Sequence, residues 1–419
     1  MRLSRRIAAA ALAITTLLPM SACGGNEDSA DGDAVEVFTW WADGGEKAGL
    51  DALVGVFAQQ CPDQTFQNGA VAGGAGSNAK QVLASRLQTG APPDTFQAHA
   101  GAELVDYVKA GQVENLSDAY DQWALRQAFP LGLIENLTYE GRIYSVPANI
   151  HRANVVWTNK KVLADAGVTT APTSMDEFFA ALDKVKRSGI EAPLAVGKDW
   201  TQLMLLEAVL ISDLGPHKFA GLWNGATDWK GAEVTKATND YKRLLTYAND
   251  DRDALDWTDA ERLLMNGRAA FQLMGDWEAA DLDAKGFKDY GYFTFPGNGE
   301  TFQWLADSFT LPRNAPNPDG ARCWLKTVGS AAGQQAFNTQ KGSIPARIDA
   351  DPANYPPYQQ SAMADWKTAT QVPSCAHGAA CSQGLQGAAN SAMAKFSTDL
   401  DIASLQNALA QATSQFTTS

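Results

Sequence analysis

The sequence predicts an α/β protein with at least two layered domains. From residue 35 onward, short apolar runs alternate with amphipathic helical stretches, and this alternation is typical of α/β layers with largely parallel sheets. The chain has 419 residues, which is more than one doubly wound domain usually holds. We therefore expect two such domains, with boundaries near residues 149–156 and 304–312.

The N-terminal residues 1–22 have the pattern of a secretory signal peptide. Three arginines precede the apolar run 7–18, which is shorter than the roughly 20 apolar residues needed to cross a bilayer. The segment ends Met-Ser-Ala-Cys at Cys23 and resembles the lipobox of bacterial lipoproteins, although Met20 stands where leucine is usual. We expect cleavage before Cys23 and a lipid on its sulfur; plain secretion is the alternative.

Residues 23–33 form the lipidated cysteine and a small, acidic segment that suits a flexible tether. The whole chain is acidic, with 33 Lys+Arg against 47 Asp+Glu and a formal net charge of −14. A surface of this sign repels phosphate backbones, so nucleic acid is not an expected partner.

The first part of the mature chain contains two units in which a strand precedes a helix. Residues 35–39 predict a strand, and apolar residues at helical spacing in 50–57 predict the helix after it. Residues 95–98 predict a second strand, followed by a helix over 104–108.

The middle of the chain continues the alternation. Residues 174–177 (SMDE) have the capping-box pattern that begins a helix. Residues 193–196 predict the next strand, and Asp199 can cap the helix after it. Thr258 opens another helix, and residues 269–274 predict a buried strand.

Four cysteines remain when Cys23 is set aside, and an even number in an oxidising compartment predicts two disulfides. Cys375 and Cys381 are close enough for a local loop, but a bond from either of them to Cys323 is equally compatible, so the pairing among these and Cys61 stays open. A zinc site is the weaker interpretation, because no CxxC occurs.

Indoles and polar groups follow the predicted strands, where open α/β sheets bind their ligands. The groups are Trp40, Trp41, Asp43 and Glu46 after the first strand, Gln97 and His99 after the second, and residues 198–200 and 275–277 after later ones. A pyranose needs a flat apolar platform and hydrogen-bonding groups around its rim, and Trp beside Asp, Glu, Gln, His and Lys supplies both. This pattern predicts a sugar site.

Each of these residues also has a plainer structural interpretation. Asp199 and Asp276 could be helix caps, and a single Trp is often part of the core. Neighbours on a strand face opposite ways, so at most one of Trp40 and Trp41 packs readily in the core. Six other tryptophans are interpreted as structural: Trp157, Trp223, Trp257, Trp304, Trp324 and Trp366. The glycine-rich segment 73–76 predicts backbone that approaches something closely.

Signals for catalysis are poor. The chain has neither GxSxG nor HExxH, and its four histidines are far apart in sequence. Glu46 with Asp307 could form the carboxylate pair of a glycoside hydrolase, so a surface glycosidase is kept as an alternative. We expect no enzyme activity, no cofactor and no metal.

Several segments together resemble a known family. They are residues 39–41 (TWW), 44–46 (GGE), 72–76 (AGGAG), 97–99 (QAH), 147–151 (PANIH), 307–312 (DSFTLP), 341–347 (KGSIPAR) and 377–378 (HG). The chain resembles the solute-binding lipoproteins of bacterial ABC sugar importers, the extracellular family 1, and most of all their glucose/mannose-binding branch.

The resemblance implies the type II periplasmic-binding fold, in which two α/β lobes joined by a hinge close on a ligand in the cleft between them. The N-terminal lobe is expected at residues 34–151 with 309–350, and the C-terminal lobe at residues 156–305 with 351–419. The implied partners are a neutral monosaccharide and the ABC permease subunits, with the protein a monomer anchored by lipid to the outer face of the cell membrane. A binder of a disaccharide or aminosugar, and a cell-wall or adhesion lipoprotein, are the alternatives.

Residues that match the family's motifs are the expected ligand contacts. Asp307 is expected to accept hydrogen bonds from hydroxyls and Lys341 to donate them, whereas His151 matches a motif near the hinge without an assigned role. The full set is Trp40, Trp41, Glu46, Gly74, Gly76, Gln97, His99, Trp200, Trp277, Asp307, Lys341 and His377.

Overall fold

A computed structural model describes residues 33–73 and 76–417. The strands are β1 (Ala34–Phe38), β2 (Thr65–Asn68), β3 (Thr95–His99), β4 (Thr138–Tyr139), β5 (Arg142–Ile143), β6 (Ser145–Pro147), β7 (His151–Arg152), β8 (Val155–Asn159), β9 (Leu194–Ala195), β10 (Phe271–Met274), β11 (Tyr290–Thr294), β12 (Thr301–Leu305), β13 (Asp307–Thr310) and β14 (Thr370–Pro373). The helices are α1 (Gly44–Gln60), α2 (Ser77–Gln88), α3 (Ala102–Lys109), α4 (Ser117–Gln122), α5 (Leu131–Asn136), α6 (Lys160–Asp165), α7 (Met175–Arg187), α8 (Trp200–Asn224), α9 (Ala232–Leu244), α10 (Trp257–Met265), α11 (Trp277–Ala284), α12 (Pro318–Gly329), α13 (Ala331–Lys341), α14 (Pro357–Thr368), α15 (Gln383–Asp399) and α16 (Ile402–Thr417).

Two main sheets organise the chain, and each with its helices is called a lobe below. The first lobe has a five-stranded sheet in the order β2-β1-β3-β13-β6, with α1, α3 and α12 packed on its strands and α13 packed on α1 and α12. The second lobe has a four-stranded sheet in the order β11-β8-β10-β9, with α8 and α10 packed on β10. A three-stranded sheet, β14-β12-β7, joins them. Among the described residues, no helix has the length and apolar character that crossing a bilayer requires.

The α/β class is confirmed, but the expectation of largely parallel sheets is wrong. β1 runs parallel to β2 and β3, whereas β13 runs antiparallel to both of its neighbours and β8 runs antiparallel to both of its own. The reason is that β13 enters the first sheet directly from β12 of the joining sheet, with only Ala306 between them. A return of this kind needs no helical crossover, so nothing forces the strand to be parallel.

Aromatic side chains fill the core of each lobe. In the first lobe Trp324 packs against Phe57 and Phe309, with ring centroids 5.4 and 5.6 Å apart. In the second lobe Phe178 packs edge-on against Phe271 at 5.2 Å. These rings come from both strands and helices. Those on helices lie on the face that packs against the sheet, and the apolar residues at helical spacing in the sequence predict that face.

Helix starts agree with the sequence in one case and differ in two. The capping box at Ser174 and Glu177 is confirmed at the start of α7. Asp199 lies at the N-cap of α8 with φ of 56° but makes no side-chain cap, and α10 is capped by Asp256 rather than opened by Thr258. The second difference arises because Asp256 and Asp259 form their own capping box two residues earlier.

Two disulfides form among the four cysteines. Cys61 at the end of α1 is bonded to Cys323 on α12, and Cys375 is bonded to Cys381. The first bond fastens two helices of one lobe, and the second closes the short loop before α15. Of the alternatives that sequence left open, the local loop is the one observed.

Candidate functional site

A cavity of about 390 Å³ lies between the two lobes. Five helices bring their starts to it: α1 at Gly44, α2 at its N-cap Gly76, α8 at Trp200, α10 at Trp257 and α11 at Trp277. The first N–H groups of a helix have no partner within the helix. Some of these N–H groups are used by protein acceptors, as Gly45 N–H is by Asp281 and Trp257 N–H is by Asp256.

The adjacent residues Trp40 and Trp41 point in opposite directions. Trp40 lines the cavity, and the backbone of Gly76 packs against its indole. Gly76 has a φ of +93°, and a Cβ at this position would lie 2.8 Å from an atom of the Trp40 ring. Trp41 is fully buried against Phe309 and Phe337, at centroid distances of 5.4 and 4.5 Å. Trp40 is thus a cavity wall, whereas Trp41 is part of the core.

Asp307 lies at the floor of the cavity with protein partners on both carboxylate oxygens. Gln97 donates to its Oδ1 at 2.9 Å, and Asn149 donates to its Oδ2 at 2.8 Å. The β3–β13 register places Asp307 directly opposite His99, which explains why residues so distant in sequence meet here. Asp307 is held in one orientation before any ligand arrives.

A buried histidine lies between two carboxylates. His151 bonds Asp276 through Nδ1, and its Nε2 lies 3.2 Å from Asp307 Oδ2. Burial opposes the charged imidazole, but the charge and hydrogen bond of Asp276 and the hydrogen bond to Asp307 together raise the pKa of His151. Burial would likewise raise the pKa of Asp307, yet the hydrogen bond and charge of His151 hold that pKa well below its usual range. Asp276 is therefore not a helix cap: its carboxylate also accepts from the Arg152 backbone N–H at 2.9 Å.

His99 is held from behind by a second buried pair. Its Nδ1 lies 2.8 Å from Glu103 Oε2, and Lys80 Nζ donates to the same oxygen at 2.7 Å. Burial raises the pKa of Glu103, but the charges of Lys80 and His99 lower it to about 2. With Nδ1 engaged, the Nε2 edge of His99 is oriented towards Asp307, 3.7 Å away.

Lys341 supplies a buried cation at the cavity. Its Nζ donates to Glu46 Oε1 at 2.8 Å and lies 5.6 Å from the centre of the Trp277 ring. An ammonium has three donors, so the Glu46 contact leaves further hydrogen-bonding capacity towards the cavity. Lys341 is on the first lobe and Trp277 on the second, so this contact spans the cleft.

The loop closed by Cys375 and Cys381 carries His377 into the cavity. Ser374 contacts His377 Nδ1 at 2.9 Å, and His377 Nε2 is buried with no partner among the described residues. Burial, with the nearby charges of His99 and His151, lowers the pKa of His377 well below its ordinary value. The ring is thus neutral, with one nitrogen left for a ligand.

Glu207 anchors this loop from beneath. Its carboxylate accepts from the backbone N–H of Cys375 at 2.6 Å, from Ser374 Oγ at 2.8 Å and from Gln303 Nε2 at 2.8 Å. Burial outweighs these hydrogen bonds and raises the pKa of Glu207 to about 7.

The raised pKa of Glu207 predicts a pH-dependent stability. A carboxyl that binds its proton more tightly when folded stabilises the protein below its unfolded pKa, and this contribution is lost as pH rises towards the folded value. We expect the free energy of unfolding to fall between pH 4.5 and 7, with up to about 3 kcal/mol due to Glu207. Urea unfolding across this range should show a shallower slope in Glu207→Gln. Glu233→Gln, a change at an exposed ion pair with Lys218, is the control, and an equal slope in Glu207→Gln and wild type would contradict the assignment.

The lobes touch directly at the mouth of the cavity. Asp281 on α11 accepts from the Gly45 backbone N–H of α1 at 3.4 Å, and a Cβ at Gly45 would lie 2.8 Å from that of Ala280. Lys285 donates to Asp281 and to Glu261. Burial, with the charge of Asp281, raises the pKa of Glu261, and burial likewise raises that of its neighbour Glu278.

Most of the residues expected at the ligand do meet at this cavity. Those that line it are Trp40, Glu46, Gly76, His99, Trp200, Trp277, Asp307, Lys341 and His377. Trp41 and Gln97 do not: the indole of Trp41 turns into the core, and Gln97 lies behind Asp307 as its hydrogen-bond donor. Gly74 lies outside the described residues, as does Cys23.

Other residues that line the cavity were not expected at the ligand, and one of them, Trp257, was assigned a structural role. Trp257, interpreted as structural, lines the cavity at the start of α10, and His151 lines it beside Asp307. No predicted strand directly precedes Trp257, so the strand-end rule gave no signal for it. Asp281 and Lys285 are spaced i,i+4 on one face of a helix, and this spacing predicts an ion pair between them. It does not predict that the pair lies at the cavity. Asp43, named among the polar groups after the first strand, also lines the cavity. The wall residues that were not proposed as ligand contacts are Gly44, Ala72, Gly73, Asp256, Trp257, Thr258, Arg262, Asp281, Lys285 and Leu305.

The arrangement suits an uncharged ligand with an apolar face and a polar rim. Trp40, Trp200 and Trp277 offer ring surfaces, and Asp307 and Lys341 offer an oriented acceptor and donor. Within the described ranges, no three His, Cys, Asp or Glu side chains are arranged to hold a metal ion.

Comparisons with known proteins agree on one family. The profile of the bacterial extracellular solute-binding proteins matches residues 41–335. An uncharacterised ABC transporter extracellular-binding protein of Pyrococcus horikoshii is 33% identical over 376 residues, which is 88% of this chain and 84% of the relative. A probable sugar-binding periplasmic protein of Mesorhizobium japonicum is 30% identical over 350 residues, 82% of this chain and 83% of the relative. A solved chitin oligosaccharide binding protein has a TM-score of 0.81 at 21% identity, covering 93% of this chain and 100% of that one. The fold is the type II periplasmic-binding fold.

Proposed function

This chain belongs to the bacterial extracellular solute-binding proteins, and we propose from that premise that it captures a neutral sugar for an ABC importer. The sugar that binds in the cavity between the lobes is a glucose- or mannose-like pyranose. The observation that carries the proposal is the meeting of indoles and buried hydrogen-bonding groups from distant segments in one cavity between two lobes. The Mesorhizobium relative, named as sugar-binding, supports the same ligand class.

Binding is proposed to act through closure of the lobes. The N-terminal lobe moves against the C-terminal lobe. The first comprises residues 34–151 with 309–350, and the second comprises residues 156–305 with 351–419. The Gly45–Asp281 and Lys341–Trp277 contacts form across the cleft, so a sugar that touches both lobes favours the arrangement that contains them. The closed form is the one that the permease subunits would recognise. A lipid at Cys23 would hold the monomeric carrier at the outer face of the membrane and raise its effective concentration at the permease.

The alternative of a glycoside hydrolase is disfavoured by one observation. Glu46 and Asp307 both line the cavity, but a glycosidase requires one carboxylic acid with a raised pKa. The pKa of Asp307 is lowered by His151, and Glu46 is paired with Lys341. Asp307 is therefore not the raised-pKa acid that such an enzyme needs.

Titration calorimetry against glucose, mannose, galactose and xylose tests the proposal. We expect one-to-one binding of glucose or mannose by the wild type and at least a tenfold weaker affinity in Lys341→Met, because a buried donor to the sugar is lost. Lys47→Met removes an exposed lysine paired with Asp51 and should bind as the wild type does. Absence of binding to every sugar, or wild-type affinity in Lys341→Met, would refute the assignment of this cavity.

A further inference from the structure

The chain first passes from one lobe to the other through residues 149–152. At the first lobe, the Asp307 N–H donates to Asn149 Oδ1 at 2.8 Å. At the second lobe, the Asp276 N–H donates to the Arg152 carbonyl at 3.0 Å, and the Asp276 carboxylate accepts from the Arg152 N–H at 2.9 Å. The change of lobe therefore falls on the two residues between Asn149 and Arg152, and a hinge motion is absorbed by a few residues of this kind.

His151 is one of those two residues, and its ring contacts a carboxylate from each lobe. Nδ1 bonds Asp276, which precedes α11 of the second lobe, and Nε2 lies 3.2 Å from Oδ2 of Asp307 on β13 of the first lobe. The side chain is 1% exposed. Since both ring nitrogens are within reach of protein groups, the imidazole serves the two lobes rather than a sugar.

The Asn149 amide gives Nε2 of His151 two alternative partners. Its orientation is set by the Asp307 N–H, which donates to Oδ1, so its Nδ2 lies 2.8 Å from Asp307 Oδ2 and 2.9 Å from His151 Nε2. A protonated Nε2 donates to Asp307, whereas an unprotonated Nε2 accepts from Asn149 and turns a lone pair towards the Asp307 carboxylate. The protonated ring is therefore the form that holds both lobes.

Asp276 transmits the position of His151 to the cavity. It directly precedes Trp277, whose ring lines the cavity and stands edge-on to the His151 ring, with centroids 5.1 Å apart and planes at 86°. The same helix carries Asp281, which accepts from the Gly45 N–H of the first lobe. Asp276 itself is fully buried and is not part of the cavity wall. An effect of Asp276 on sugar binding must therefore act through its neighbours.

We propose that His151 is a positioning residue for lobe closure. In its protonated form it holds Asp307 of the first lobe and Asp276 of the second lobe together, and so aligns the sugar-binding carboxylate with the Trp277 ring. The inference rests on the proposed function. Because the contact with Asp307 belongs to the closed form, sugar binding and protonation of His151 favour each other.

The charges around His151 give this coupling a direction in pH. Burial favours the neutral ring, but Asp276 and Asp307 raise the pKa of His151 above its ordinary value. The link between the lobes is therefore present below the raised pKa, and sugar affinity falls as the pH rises through it. The other titratable groups that face the ring or its two carboxylates are Lys341 on α13, His99 on β3, His377 on its loop and Tyr358 on α14.

Calorimetry with glucose and mannose from about pH 6 to 9 tests the inference. His151→Asn places an amide nitrogen near the position of Nδ1 and keeps the bond to Asp276, whereas His151→Gln places one near Nε2 and keeps the bond to Asp307. Each is expected to weaken affinity about tenfold at the acid end of the range and to abolish its decline with pH, because each retains only one end of the link. His217→Asn changes an exposed histidine and should match the wild type. Wild-type affinity and pH profile in either His151 variant would overturn the inference, since one end of the ring would then suffice.

Asp276→Asn tests the same link from outside the cavity. It keeps the shape of the side chain and an acceptor for the Arg152 N–H, but it removes the charge that raises the pKa of His151. The decline of affinity is expected to move to lower pH in this variant. An unmoved decline would contradict the coupling.

A nitrogen-15 spectrum of the imidazoles gives a reading that does not depend on a variant's folding. The wild-type signal of His151, identified by its loss in His151→Asn, is expected to titrate at higher pH with glucose or mannose bound than without. Sugar binding that leaves this titration unmoved would overturn the inference and leave the proposed function intact. Failure of the wild type to bind either sugar would refute the proposed function, and the inference with it.

Discussion

Replacing Asp307 by alanine is expected to abolish sugar binding and to lower the free energy of unfolding by about 3–5 kcal/mol, the cost of removing one partner from a buried ionic pair. The side chain is 3% exposed and is bonded by Gln97 and Asn149, with the His151 imidazole beside it. Without the carboxylate, His151 retains only Asp276 as a counter-charge, and two amide donors lose their acceptor. Binding is measured by calorimetry and stability by urea unfolding without sugar.

Two further variants separate the roles of Asp307. Asp307→Asn keeps the volume and one acceptor oxygen, so it should lose binding with a smaller loss of stability. Glu46→Gln changes a half-buried carboxylate at the same cavity and should weaken binding with little effect on unfolding. An unchanged unfolding midpoint in Asp307→Ala would show that the carboxylate is free in the cavity rather than part of a buried network.

The adjacent tryptophans should respond in opposite ways to the same truncation. Trp41→Ala is expected to destabilise the fold by about 3–5 kcal/mol, because it empties a fully buried site beside Phe309 and Phe337. Its sugar affinity, measured where the protein is folded, should stay within a few-fold. Trp40→Ala should lose roughly 1–3 kcal/mol of binding, since it removes a ring surface from the cavity wall.

Each variant of the pair controls for the other, because both remove the same atoms from neighbouring positions. Thermal unfolding without sugar and calorimetry with glucose and mannose give the two readouts. Loss of affinity in Trp41→Ala with wild-type affinity in Trp40→Ala would reverse the assignment of platform and core.

Sequence reasoning brought several residues to one cavity but did not assign their roles. Trp277 follows a predicted strand and lines the cavity, because strand ends in α/β sheets converge on one edge. His377, which the family resemblance alone implied, lines it as well. Gln97 was expected at the ligand and instead orients Asp307. The sequence shows that a polar side chain follows a strand, but not whether a second polar group stands between it and the cavity.

The sequence by itself determined the α/β class, the capping box of α7 and part of the cavity wall, since periodicity and turn chemistry act between residues close in the chain. Tertiary structure decided which of Trp40 and Trp41 faces the cavity, which cysteine joins Cys61, and that β13 returns antiparallel beside β3. These outcomes depend on contacts between segments hundreds of residues apart. Local preferences are equal for the competing arrangements, and only the packing of the whole chain separates their free energies.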